Sequence, residues 1–331
     1  MIVLWRKLLN LLFAERHNGQ VFRTGLLPHV PDERDMEFGW FFGLMDYKPK
    51  HERLELKTLD IKNQAPFNTC GMHSAITQKE IEEGKPLSVR FQVAAMRKAG
   101  KVSGNGFSNL RENQEILRSI GACEDEMVPD GIREFYAYSN AAVLSYDRQQ
   151  NAGKHKNARY FSVKSESDWL KALDDGHAVH TGMTWRTGYN MGGGLAPPWI
   201  LQIGKGQVVG GHAITAIGYD TLKGLLIFQN SFGDKWGDNG KFYIRLDTWF
   251  KMGNVGYVGV DVEDDIIIDG YEGRQVKGSG PTIYLIQDGK KRAFPNADVF
   301  FTHGGKFDPE RTWQLVPDSV LNAIPEGVLM V

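Results

Sequence analysis

Cysteine is nearly absent from this sequence, with two residues, Cys70 and Cys123, in a chain of 331. A disulfide framework is therefore excluded and at most one bridge is possible. So low a count fits a reducing compartment, or a fold that needs no bridges. Net charge is also nearly absent, since 39 Lys+Arg face 40 Asp+Glu. No electrostatic field is present to gather nucleic acid or an anionic membrane surface. The nine histidines do not cluster, and no Cys/His run has metal-ligand spacing, so neither a metal nor a cofactor is expected. No repeat of roughly 20–50 residues is visible, which argues against a solenoid or propeller. The first stretch, MIVLWRKLLNLLFAERHNG, is interrupted by Arg6 and Lys7. It is too short for a membrane span and lacks a clean small-residue cleavage site. Cytoplasmic synthesis without a signal peptide is expected, with association with a virion or a cell envelope left open.

What is present is an ordinary globular composition, 41% hydrophobic and 24% charged, sufficient for a sizeable core. Val3, Leu4, Leu8, Leu11 and Leu12 fall near helical spacing, which predicts an N-terminal helix that packs on its own domain or docks on a partner. An extended, proline-broken lead-in then runs to about residue 60. A helix is predicted from near Cys70, with Gly84 and Pro86 as its stop. Others are predicted over Asn109–Ser119 and Ser167–Leu173. After Gly176, AVHTGMTW, HAITAIGYD, GLLIFQN and GKFYIRL read as strands joined by Gly-rich turns. Helices first and strands second predict an α+β domain with two lobes. The expected organisation is a lead-in over 1–60, a main domain over 61–265, a linker over 266–280, and a small β-rich module over 281–331. In the last, TIYLIQDGKKRAF reads as a hairpin turning at Asp288-Gly289.

Three segments carry candidate chemistry: Gln64 to Gly71 (QAPFNTCG), Gly210-Gly211-His212-Ala213, and Gln229-Asn230-Ser231-Phe232-Gly233 through Trp236-Gly237. A thiolate attacks where a thiol does not. Cys70 stands where a helix should begin, and free N–H groups there stabilise an anion. A histidine beside it takes the proton and later returns it to a leaving amine. A neutral amide such as Asn230 can hold that ring. The Cys70 N–H and the Gln64 amide suit an oxyanion. Cys70 alone reads equally as a small buried hydrophobe; it is the ordered set with Gln64, His212 and Asn230 that points to catalysis. His73 is a rival base by spacing and otherwise a wall residue. Cys123, His177 and His180 read as structural. Met191-Gly192-Gly193-Gly194 reads as an irregular loop near His212. Gly104-Asn105-Gly106 lacks the Lys-Ser/Thr of a phosphate loop.

These segments resemble the papain-like cysteine peptidases. Gln lies six residues before Cys, a GGHA strand follows about 140 residues on, and then comes an NSxGxxWG run. Pro31-Asp32-Glu33-Arg34-Asp35 and Gly106-Phe107-Ser108 resemble a bacterial and phage branch. The resemblance covers about residues 28–262. It implies a helical lobe facing an antiparallel β lobe. It also implies peptide-bond hydrolysis through an acyl-enzyme, with Cys70 and His212 as a thiolate–imidazolium pair. Gly104, Asn105, Gly106 and Gly211 would then line the substrate groove. The sequence departs from the family at Phe67, where a cysteine is usual, at Gly71, where an aromatic is common, and at Phe232, where Trp is usual. The same nucleophile suits a peptidoglycan cross-link or an isopeptide as well as a polypeptide. A second reading is a non-catalytic component of a phage particle or envelope that retains the fold, with partners held through residues 1–20 and 281–331. The last unit resembles modules of bacterial surface and phage proteins and suits binding or attachment. Residues 1–60 as an inhibitory segment across the cleft is a further reading, against which the missing pro-segment motifs weigh.

Overall fold

The computed structural model describes residues 15–17, 20–22, 24–30, 32, 35–39, 47–132, 134–189, 197–261, 271–307, 310–316, 321 and 324–331. The helix expected around Val3–Leu12, the loop at 191–194 and the stretch 262–270 lie outside them. Contacts divide the chain into two units, Met1–Pro31 with Asp46–Val260, and Asp32–Met45 with Asp261–Val331.

In the first unit a short hairpin, β1 (Glu15–His17) and β2 (Gln20–Phe22), precedes β3 (Arg53–Glu55). The helical part is built from α1 (Cys70–Glu83), α2 (Val89–Lys98) and α3 (Leu110–Ser119), followed by the short α4 (Phe135–Tyr138) and α5 (Tyr146–Ala152). Local signals account for the boundaries. Gly84 takes the left-handed conformation that ends α1, and its N–H bonds the Glu80 carbonyl, as a C-terminal glycine does. Ser88 and Asn109 cap α2 and α3 by accepting from Phe91 and Glu112 N–H. Phe91, Met96, Ile116, Leu117 and Cys123 join Met72 and Ile76 of α1 in one apolar cluster, the core of this lobe.

The other lobe is a seven-stranded antiparallel sheet. Its strands are β4 (Arg159–Val163), β5 (Val179–Arg186), β6 (Val208–Asp220), β7 (Leu225–Gln229), β8 (Lys241–Arg245) and β9 (Gly256–Val260). They lie in the order β4-β9-β5-β6-β7-β8, with β3 on β6. The β3–β6 pairing draws the lead-in into the sheet, with Leu54 opposite Tyr219. Helix α6 (Glu166–Asp174) starts with a reciprocal Ser165–Asp168 capping box.

Helix α1 is buried along its length from Cys70 to Glu80, polar residues included. Those polar groups join the lobes. Ser74 Oγ donates to the Ile214 carbonyl at 2.7 Å. Gln78 Nε2 donates to the Ala178 and Tyr257 carbonyls, both at 2.7 Å. Buried donors are costly unless paired, so these contacts set α1 against β5, β6 and β9 in one register. Cys70 is thereby placed beside the middle of β6.

The second unit contains a four-stranded sheet of β10 (Gln275–Lys277), β11 (Ile283–Gln287), β12 (Lys290–Ala293) and β13 (Gln314–Leu315), with α8 (Ala297–Thr302) between the last two; α7 (Leu246–Lys251) belongs to the first unit. The β11–β12 turn is Asp288-Gly289 with φ of 56° and 68°, the doubly left-handed form expected of that dipeptide. Gln275–Lys277 falls in the stretch whose glycines suggested a linker. It is a strand because Val276 buries its side chain while β11 and β13 pair on either edge.

Candidate active site

Cys70 is the first residue of α1, and Thr69 before it supplies no side-chain cap. The first-turn N–H groups are thus left for another acceptor, and those of Cys70 and Gly71 lie at the sulfur. Gly71 departs from the expected aromatic for a packing reason. A Cβ there would stand 2.4 Å from Ser108 Oγ and 2.9 Å from Asn113 Nδ2, so the start of α3 packs where a side chain would be.

His212 lies on β6 opposite Met183 of β5. Its Nε2 is 2.8 Å from Asn230 Oδ1. The Ser231 backbone N–H also donates to that oxygen, at 2.8 Å, which fixes which end of the amide faces the ring. An oxygen only accepts, so Nε2 carries the ring proton and Nδ1 keeps its lone pair. Nδ1 finds no hydrogen-bond partner among the described residues. Phe232 stacks on the ring at 4.7 Å and Trp185 meets it edge-on at 4.6 Å. Phe232 therefore supplies the apolar cover where the family usually has Trp.

Gln64 is tied to the same strand end. Its backbone N–H donates to the Ser231 carbonyl at 2.9 Å. Its Oε1 accepts from Ser231 Oγ at 2.6 Å, and its Nε2 donates to the Phe67 carbonyl at 3.0 Å. Ser231 thus fastens both the amide that holds His212 and the amide expected near the oxyanion. The sequence reading missed this function of Ser231; its position directly after Asn230 is the signal that would have found it.

Cys70 and His212 are both fully buried, at 0% exposure. Burial pushes the Cys70 thiol up to about 11, against the lowering effect of N–H groups from Ala213, Gly25, Gly71 and Cys70 itself. Burial likewise pulls His212 down to about 4, opposed by its bond to Asn230. At neutral pH both groups are therefore uncharged in this arrangement. Burial thus weighs against the charged form of both groups, while the N–H groups at the sulfur and the Asn230 bond weigh towards it.

The burial comes from the chain itself. The Gly25 N–H donates to Cys70 Sγ at 3.2 Å. Leu26 N–H donates to the Gly211 carbonyl at 2.9 Å, Leu27 N–H to the Ser108 carbonyl at 2.8 Å, and Ser108 N–H to the Gly25 carbonyl at 3.0 Å. Of the expected groove residues, Gly211 makes such a contact. Ser108 makes the other, and the sequence reading had not placed it in the groove. Gly104, Asn105 and Gly106 form a turn that supports the residues before Cys70: the Asn105 carbonyl accepts from Asn68 N–H at 2.9 Å.

The remaining candidates fall elsewhere. His73 Nδ1 meets the Thr69 carbonyl at 2.9 Å within α1. His180 meets Ser74 Oγ at 2.8 Å, and His177 meets Glu82 at 3.2 Å. Cys123 is buried in the helical lobe, and both cysteines are free thiols.

No protein-family model and no curated protein matches this sequence. Solved structures do. The chain is similar to xylellain, a cysteine protease from Xylella fastidiosa, with a TM-score of 0.60 and 18% identity, covering 72% of this chain and 96% of that one. It is similar to a procathepsin B from Trypanosoma congolense, with a TM-score of 0.53 and 13% identity over 72% and 86%. It is also similar to the Carica candamarcensis cysteine protease CMS1MS2, with a TM-score of 0.50 and 15% identity over 64% and 100%. The fold is therefore papain-like, an α+β architecture of a helical lobe and an antiparallel sheet.

Proposed function

We propose that this chain is a thiol-dependent peptidase. The observation that carries the reading is the connected set Gln64–Ser231–Asn230–His212 on β6 and just past β7, with Cys70 at a helix N-terminus that packs on Ala213. His212 Nδ1 takes the Cys70 proton. The sulfur attacks the carbonyl carbon of an amide, and the oxygen that gains charge is met by the Cys70 N–H and the Gln64 amide. Collapse breaks the C–N bond, His212 returns the proton to the leaving amine, and a thioester remains. Water, deprotonated by His212, then attacks the thioester, and the thiol leaves. Asn230 keeps the ring in the tautomer this sequence requires. The solved structures similar to this chain are described as cysteine proteases, which supports the same class of reaction.

The test is hydrolysis of a broad peptide panel, supplemented with cross-linked peptidoglycan peptides, by the chain and by Cys70→Ala. Loss of all hydrolysis in the variant is expected. Hydrolysis that persists in Cys70→Ala would refute the assignment.

A second reading, that of a binding component which retained the fold, is favoured by one observation: Cys70 is closed off by Gly25. Residues 281–331, which contain neither cysteine, serve binding or attachment in either reading.

A further inference from the structure

We propose that His73 is a positioning residue for the Cys70 backbone N–H: by donating to the Thr69 carbonyl, its imidazole polarises the peptide unit to which that N–H belongs. The proposal rests on Cys70 being the nucleophile and adds a side chain that sharpens the donor beside it.

The Thr69–Cys70 peptide faces two ways. A trans peptide sets its C=O and N–H on opposite sides in one plane. The N–H lies at the Cys70 sulfur. The carbonyl runs into α1 and accepts twice. The His73 backbone N–H donates to it at 3.0 Å, the ordinary first bond of the helix, and His73 Nδ1 lies 2.9 Å from the same oxygen. A carbonyl only accepts, so Nδ1 carries the ring proton and has no lone pair left to take a proton from Cys70. Each bond a carbonyl accepts draws charge towards its oxygen and adds double-bond character to C–N, which leaves the N–H a stronger donor. That N–H is among the groups that lower the Cys70 thiol. It is also the one assigned above to the charge that develops on an attacked carbonyl.

The surroundings of the ring argue that the Nδ1 bond is its purpose. His73 is 1% exposed, and its Nε2 has no hydrogen-bond partner among the described residues. A buried polar atom left unpaired is costly. An apolar ring would fill the same space without that cost, so what an imidazole adds here is the bond to Thr69. The ring is also held neutral. Burial lowers it to about 4 and Lys62 acts in the same sense, against Asp130 and the bond to Thr69. His73 in turn lowers His212. Kept neutral, it polarises the peptide without placing a full positive charge where His212 has to accept a proton.

The experiment compares the full chain with His73→Phe, which fills the space without a donor, and His73→Asn, whose amide N–H can replace that of Nδ1. Iodoacetamide labelling of each thiol is followed across pH by peptide mapping, with Cys123 as the internal reference. In His73→Phe the Cys70 profile should move to higher pH by about half a unit, a roughly threefold fall in thiolate at a given pH. The Cys123 profile should stay in place, and His73→Asn should return Cys70 to the parent profile. In hydrolysis of the peptide panel, His73→Phe should lower kcat by about threefold or more with KM within about twofold. If His73→Phe does not fold, His73→Leu makes the same comparison. An unchanged Cys70 profile in the apolar variant, an equal shift of both thiols, or His73→Asn behaving as the apolar variant does would overturn the proposal. Labelling does not need turnover. The stated shift with no hydrolysis of any peptide would uphold the role of His73 and refute the peptidase reading, and hydrolysis without the shift would do the reverse.

Discussion

Cys70 and Cys123 are the same side chain in two kinds of interior. Burial pushes each thiol up to about 11. Cys123 is enclosed by the helical core, among residues that fold together with it. Cys70 packs against Leu110, Ala213 and Tyr257, and its sulfur is met by the N–H groups of Gly25, Ala213, Gly71 and Cys70 itself. The first burial ends only with unfolding. The second sets the sulfur among N–H groups that favour the thiolate. Equal burial in the folded chain therefore conceals opposite chemical capacities.

The largest expected effect is on turnover. Cys70→Ala should abolish peptide hydrolysis, a loss of about 10³-fold or more. Cys123→Ala should leave kcat/KM within about threefold. An equal loss from both would erase the contrast between the two thiols. Gln64→Ala should lower kcat by about 10²-fold, the usual effect of removing one oxyanion donor. Loss confined to KM would show that Gln64 binds substrate and does not meet developing charge.

The next effect is on stability against pH. His212 and His180 are lowered by burial to about 4 and about 3 from an ordinary 6.5. Groups lowered in this way stay neutral in the fold. Their contribution is complete above pH 6.5 and is lost as pH falls towards those values. The thiols are raised from an ordinary 9.0, so their contribution is complete below pH 9 and is lost as pH rises towards 11. Thermal melts should therefore show a plateau between about pH 6.5 and 9, with a drop on each side. Replacing either cysteine with alanine should flatten the alkaline drop. The smallest effect is that of Cys123→Ser, which puts a hydroxyl in an apolar core and should lower Tm by about 2–4 °C, read by calorimetry.

Much of this was legible in the sequence because its signals are local. Gly84 ended α1, Asn109 capped α3, and Asp288-Gly289 turned the hairpin as their residue types require. The pairing of His212 with Asn230 was legible from its resemblance to a known arrangement. The filled cleft was read only as an alternative for residues 1–60, with no shorter segment named. Thr24-Gly25-Leu26-Leu27-Pro28-His29 has no period and no turn signature, and it pairs through one residue on each side. Its meaning lies in distances to Asn68, Ser108 and Gly211, far along the chain. The β3 pairing and the Gly71 contact with Ser108 escaped for the same reason. Ser231 was half legible: its N–H bond to Asn230 is between chain neighbours, while its bond to Gln64 joins residues far apart in the sequence.

The contacts of Ser74 and Gln78 have a mechanical consequence. Four bonds to strand carbonyls and a neighbouring hydroxyl rivet α1 to the sheet deep below the cleft. A hinge between the lobes would have to leave these groups stranded without water. These bonds clamp the helix to the sheet at the floor of the cleft.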